Sequence, residues 1–329
     1  LIEVSVVGGG SWATAIVKIL TENENPTHWY LRRKDQVKEI REKGINPDYL
    51  AQTKLDTRFV HPSSDLQEVV SKSQIIIFAV PSAALPLVAA ELDATALADK
   101  IVLSAVKGTV GEGLGSAAAY LKKFFQIPNS RMACIAGPCH AEEIAADKTT
   151  YLTLSSTNDK LADMLWPIFR RPYVHVRTNS DPTGVGYAAI YKNVLGIASG
   201  MADGLGYGDN FLAVLVSNAM KEMDKLLNSM AGEETSMLNS TYTGDLLVTG
   251  YSDKSRNRQF GRLIAQGDSA DQAIERLGMV AEGHRAAAGL YAYAQANELH
   301  LPILSTVYHI LYTNRSVDAE FKTLEENLI

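Results

Sequence analysis

Along the first half of the chain, short apolar runs alternate with longer stretches whose apolar residues recur at helical spacing. The runs Val4–Val7, His28–Leu31, Gln74–Val80, Ile101–Val106 and Met132–Ala136 predict strands. Stretches at Trp12–Thr21, Gln36–Lys43, Asp65–Ser71, Ala83–Leu92 and Leu114–Phe125 predict the helices between them. Strict alternation of this kind implies an α/β fold, a doubly wound and mainly parallel sheet with helices on both faces. Two further short runs, Tyr151–Leu154 and Tyr173–Val176, extend the sheet. The texture changes at Asp181-Pro182, a favoured N-cap followed by a favoured first helical residue. Beyond it the pattern is almost wholly helical, with glycine-rich connections expected at Gly204–Gly208 and Gly244–Gly261. Two domains follow, 1–180 of Rossmann type and 181–329 all-α.

Composition narrows the function classes. With 46% hydrophobic and 21% charged residues, the chain reads as an ordinary soluble globular protein. A formal net charge of −6, with both signs mixed, gives no basic face or tail for nucleic acid. Two cysteines, Cys134 and Cys139, make neither a disulfide framework nor a metal site, and suit reduced thiols in a cytosolic protein. No signal segment stands ahead of the first strand, and the weakly apolar stretch Thr183–Ala202 carries Lys192 and Asn193 at its centre. A cytoplasmic protein without a membrane span is expected.

The first strand runs into Gly8-Gly9-Gly10-Ser11-Trp12-Ala13 and then into a helix. Gly8 permits a tight turn, Gly10 lets backbone approach a pyrophosphate, and small Ala13 permits close helix–strand packing. The helix start offers N–H groups and a positive dipole end to phosphate. A lone glycine fingerprint is weak, but at the first βα turn of this pattern it points to dinucleotide binding. The second strand ends on Arg32 and Arg33 where NAD sites usually carry an acid, which favours NADP, with NAD still possible.

Lys192 is the one charged side chain between Asp181 and Asp203. Such a lysine is buried beside a partner, faces a cleft, or snorkels to solvent; desolvation in either of the first two settings equips it for proton transfer. Lys107-Gly108 closes the strand Ile101–Val106, at the sheet end where ligands bind in this architecture. Gly137-Pro138-Cys139-His140 follows the next strand and opens a helix; lone His140 is not cast as the base. Ser255-Arg256-Asn257-Arg258 is donor-rich and suited to a phosphate monoester.

In order along nearly the whole chain, these motifs resemble the NAD(P)-dependent glycerol-3-phosphate dehydrogenase family, especially its bacterial form. The resemblance is carried by Gly8–Trp12, Val106-Lys107-Gly108, Ala136-Gly137-Pro138, Tyr191-Lys192-Asn193-Val194, Gly200–Gly208, Gly244-Asp245-Leu246, Ser255–Arg258 and Val280-Ala281-Glu282-Gly283. It implies hydride exchange between NAD(P)H and dihydroxyacetone phosphate, supply of glycerol 3-phosphate for phospholipid synthesis, and a homodimer. It further implies that Lys192 is the catalytic lysine, with Lys107 and Asp245 as electrostatic partners. Asn193, Ser255, Arg256 and Asn257 would bind substrate, beside Gly137 and Cys139, with Arg256 near the phosphate. Gly8, Gly10, Ser11, Trp12, Arg32, Arg33, Lys107, Ala141, Arg256, Val280 and Glu282 would contact cofactor. Cys139 departs from the family's usual Ser or Thr, and Ala13 from its third glycine. The alternatives are another Rossmann-plus-helical dehydrogenase, of β-hydroxyacid or 6-phosphogluconate type, and a non-catalytic NADP-binding regulator.

Overall fold

The computed structural model describes residues 2–111, 115–231, 237–278 and 281–328. It divides into two compact units, 1–106 with 117–182, and 107–116 with 183–329.

The first unit is built on eight strands: β1 (Val4–Val7), β2 (Thr27–Tyr30), β3 (Val60–Ser63), β4 (Ile75–Phe78), β5 (Ile101–Ser104), β8 (Met132–Ala136), β9 (Thr150–Ser155) and β10 (Val174–Asn179). The numbers β6 (Thr109–Val110) and β7 (Gly115–Ser116) belong to an antiparallel pair in the second unit. The sheet order is β10-β9-β8-β5-β4-β1-β2-β3. Every neighbouring pair is parallel except β8 with β9. The expected doubly wound α/β fold is therefore present. All four residues of β1 and of β4 are buried, as strands covered on both faces must be. Because β1 pairs with β2 on one side and β4 on the other, strand order reverses at β1. That reversal places a binding crevice at the carboxyl end of β1.

The structure adds elements that the pattern does not predict. Strand β3, with the sequence Val-His-Pro-Ser, carries Pro62, and it occupies the sheet edge, where a missing N–H is tolerated. A helix over Asp159–Phe169 carries Pro167 in its last turn. The helix expected from Leu114 begins at Ala117, after β7. Buried Lys18 ties the helix Ser11–Glu22 to the turns at Asp147 and Tyr173. Lys18 Nζ lies 2.6 Å from each of Asp147 Oδ1, Glu22 Oε1 and the Tyr173 hydroxyl.

In the second unit the helix Pro182–Gly204 starts on the anticipated proline and is buried over most of its length. It is packed by Arg256–Ala265 at backbone contact: a Cβ on Gly200 would sit 1.9 Å from Arg258 O, and one on Gly261 would sit 2.1 Å from Ile197 O. The expected glycine-rich connection Gly244–Gly261 is corrected by the structure. It consists largely of the helix Asp245–Tyr251 and the start of Arg256–Ala265, the latter capped by the Ser255 hydroxyl. Gly250 and Gly261 serve close packing rather than chain reversal. Among the described residues, no helix is long and apolar enough to cross a membrane.

Candidate active site

In the first unit the chain leaves β1 through Gly8 at φ +132°, where a Cβ would lie 2.4 Å from Ala79 O just beyond β4. Only glycine fits this turn. Gly10 then caps the helix Ser11–Glu22 with backbone alone, and no acid occupies the helix's first turn. A Cβ on Gly10 would meet nothing within 4 Å. A helix start with no acid in its first turn and open space above Gly10 presents a positive dipole end, which fits a pyrophosphate. Trp12 Nε1 donates to Ala105 O at 3.0 Å and so fixes the indole beyond the end of β5. Beyond β2, Arg33 is held by Asp35 and Asp48, each at 2.9 Å. Exposed Arg32 has no ion-pair partner among the described residues.

In the second unit Lys192 is 6% exposed and Asp245 is 4% exposed, with Nζ and Oδ1 2.6 Å apart. Of the settings open to Lys192 from sequence, burial beside a partner is the one observed. A helix made of small and apolar residues brings it there, and Asp245 meets it from the first position of Asp245–Tyr251.

A hydrogen-bond chain runs beside this pair. Asn193 Nδ2 donates to Lys107 O at 2.8 Å, Asn257 Nδ2 to Asn193 Oδ1 at 3.0 Å, and Gly283 N to Asn257 Oδ1 at 2.9 Å. The chain thus joins Lys107, Asn193 and Asn257 to the start of the helix Glu282–Ala296. Ser255 is buried as the N-cap of Arg256–Ala265, while Arg256 stands exposed at its first position. A guanidinium beside a helix N-terminus suits a phosphate.

The sequence assigns no role to Tyr191 beyond its place in the Tyr191-Lys192-Asn193-Val194 motif, and Glu222 is absent from the reading. The buried Tyr191 hydroxyl donates to Glu222 Oε2 at 2.9 Å. Glu222 also accepts from the Ile303 amide at 2.6 Å and the Leu304 amide at 3.2 Å, capping Pro302–Thr313. Burial pushes its carboxyl up to about 7, while the hydrogen bonds from Ile303, Tyr191 and Leu304 pull the other way. A signal was present: Glu222 falls at helical spacing with the fully buried Leu215, Ala219 and Leu226, on the core face of its helix.

Comparison with known proteins bears on what this arrangement serves. Residues 3–162 match the N-terminal model of NAD-dependent glycerol-3-phosphate dehydrogenase, and residues 181–322 match its C-terminal model. The chain belongs to the NAD-dependent glycerol-3-phosphate dehydrogenase family. It is 32% identical over 316 residues to the glycerol-3-phosphate dehydrogenase [NAD(P)+] of Halothermothrix orenii, covering 95% of this chain and 92% of that one. The Bacillus subtilis protein of the same name is 30% identical, with 98% and 93% covered. The crystal structure of glycerol-3-phosphate dehydrogenase from Coxiella burnetii superposes with a TM-score of 0.88 at 27% identity, covering 99% of each chain.

Gly137 adopts φ +106°, and buried Cys139 donates its thiol to Gly137 O at 3.1 Å. Ala141 opens the short helix Ala141–Ala145, and Glu282 opens Glu282–Ala296. Val280 lies outside the described residues.

Proposed function

We propose that this chain interconverts dihydroxyacetone phosphate and sn-glycerol 3-phosphate with NAD(P)H, preferring NADPH. The observation that carries the reading is the buried Lys192–Asp245 pair within a helical unit of this family. The chemistry that NAD(P)H would supply when bound is hydride transfer to the carbonyl carbon, with the reverse transfer in the opposite direction. Lys192 gives a proton to the oxygen on the substrate's second carbon as negative charge develops there. Asp245 holds the ammonium in place, and Lys107 adds positive charge. Exposed Arg256 takes the phosphate, with Ser255, Asn193 and Asn257 shaping the site and Gly137 and Cys139 beside the substrate; holding the phosphate orients the reacting carbon. Gly8, Gly10, Ser11, Trp12, Lys107, Ala141, Arg256, Val280 and Glu282 serve the cofactor.

The preference for NADPH rests on Arg32. Arg33 is engaged by two carboxylates, so Arg32 is the cation available to a 2′-phosphate. The protein acts in the cytoplasm as a homodimer and supplies glycerol 3-phosphate for phospholipid synthesis. Initial rates with dihydroxyacetone phosphate, run in parallel with NADPH and NADH, test the reading. Turnover with both, faster with NADPH, is expected; turnover with neither would refute it.

A further inference from the structure

Buried side chains take up every carbonyl of the glycine turn. Trp29 donates its indole N–H to Gly8 O at 2.6 Å. Gly9 O accepts twice, from Gln36 Nε2 at 3.2 Å and from Asn46 Nδ2 at 3.1 Å. Gly10 O accepts from the Thr14 hydroxyl at 2.9 Å. The side chains also lock one another: Gln36 Nε2 donates to Asn46 Oδ1, and Asn46 Nδ2 to Thr14 Oγ1, both at 2.8 Å. Both hydrogens of each amide side chain are thereby committed. Trp29, Asn46 and Thr14 are 0% exposed and Gln36 is 5% exposed. A buried polar network satisfied to this degree is stiff, because any rearrangement strands a polar group in the core.

The geometry of the peptide group turns this anchoring outward. In a planar trans peptide the carbonyl of one residue and the N–H of the next point in opposite directions. Drawing the Gly8 and Gly9 carbonyls inward therefore turns the Gly9 and Gly10 N–H groups outward. Among the described residues, neither of those two amides has an acceptor within the chain. Gly10 is also the residue above which a Cβ would find open space.

We propose that Gln36 and Asn46, with Thr14 and Trp29, are positioning residues for the cofactor: they hold the Gly9 and Gly10 amides aimed at the pyrophosphate before it arrives. This rests on the dinucleotide reading above. None of the four side chains needs to touch the ligand. Their contribution is the reorganisation that the loop is spared on binding.

The test measures NADPH binding at equilibrium by fluorescence, together with hydrogen exchange over residues 8–12 and thermal stability. Asn46→Leu, near-isosteric but without donors, is expected to raise the Kd for NADPH about tenfold or more. Exchange in the loop rises with it, while kcat at saturating cofactor stays within about twofold of wild type. Thr14→Val gives a smaller rise, about threefold, and Thr14→Ser restores tight binding because it keeps the hydroxyl. Should Asn46→Leu fail to fold, the Thr14 pair decides. Unchanged NADPH affinity in Asn46→Leu and Thr14→Val would overturn the positioning role. So would a loss of stability in which Kd stays fixed and kcat alone falls. A wild-type protein that binds neither NADPH nor NADH would overturn the dinucleotide reading, and the proposal with it.

Discussion

The two buried lysines, Lys18 and Lys192, are nearly equal in exposure, at 5% and 6%, and each has a carboxylate at 2.6 Å. Their surroundings set them apart. Lys18 meets three oxygens, and two of its partners reach solvent: the Asp147 side chain is 65% exposed and that of Glu22 is 29% exposed. Burial alone would favour the neutral amine, yet Asp147, Glu22 and Tyr173 together hold the Lys18 pKa above its ordinary value. An ammonium saturated in this way is a structural latch between its helix and the turns at Asp147 and Tyr173, and has no reason to release its proton. Lys192 instead faces a carboxylate that is 5% exposed, in a helix otherwise free of charge between Asp181 and Asp203. With solvent shielding removed from both partners, each feels any change in the other's charge strongly. Equal burial thus gives a solvent-linked anchor in one unit and, in the other, a shielded ion pair, the setting proposed above for proton transfer.

Substitutions should separate the two roles. The largest effect is expected from Asp245→Asn, which leaves a buried ammonium without its counter-ion. Turnover should fall about a hundredfold or more, and chemical denaturation should show a loss of about 3 kcal/mol. Lys18→Met should behave oppositely, with kcat/KM unchanged at assay temperature and a stability loss of about 2 kcal/mol, since the carboxylates it strands reach water. A large catalytic defect in Lys18→Met would erase the distinction drawn here.

Glu222 offers a third buried charge against which to set both. Its folded pKa of about 7 lies above the ordinary 4.5, so the native state binds the extra proton between those values. Stability from this group is therefore complete below about pH 4.5 and declines as pH rises through 7. The swing is on the order of 3 kcal/mol. Glu222→Gln should flatten that part of the stability–pH curve; an unaltered curve would show that Glu222 stays charged across it. A smaller effect is expected from Arg32→Ala, a surface change that should lower the NADPH-to-NADH preference about tenfold and leave NADH kinetics intact. Arg33→Ala should change that ratio less, because Asp35 and Asp48 already engage Arg33.

Much of the fold was legible because its signals are local. Strands β1 and β8 lie where apolar runs placed them, and the long helix begins on Pro182 as capping chemistry demands. Proline and glycine are ambiguous signals, since each can sit inside an element as well as end one. Pro62 hid an edge strand, Pro167 sat inside a helix, and Gly250 and Gly261 packed helices rather than breaking them. The site divides in the same way. Gly8 and Gly10 announce themselves by spacing, and Lys192 by its isolation among apolar neighbours. Gln36 and Asn46 carry no such mark: each is an ordinary amide residue whose partner, Gly9, lies 27 and 37 positions away. Asp245 could be singled out only through family resemblance, since the pairing with Lys192 spans 53 positions.

The central claim is that Lys192 moves the substrate proton, and one measurement addresses it directly. Wild type and Lys192→Ala would be compared for NADPH oxidation with saturating dihydroxyacetone phosphate, with NADPH affinity measured on the same samples. The account predicts a turnover loss of roughly a thousandfold in the variant, with cofactor affinity largely retained. Turnover within a few-fold of wild type would contradict it and remove Lys192 from the mechanism.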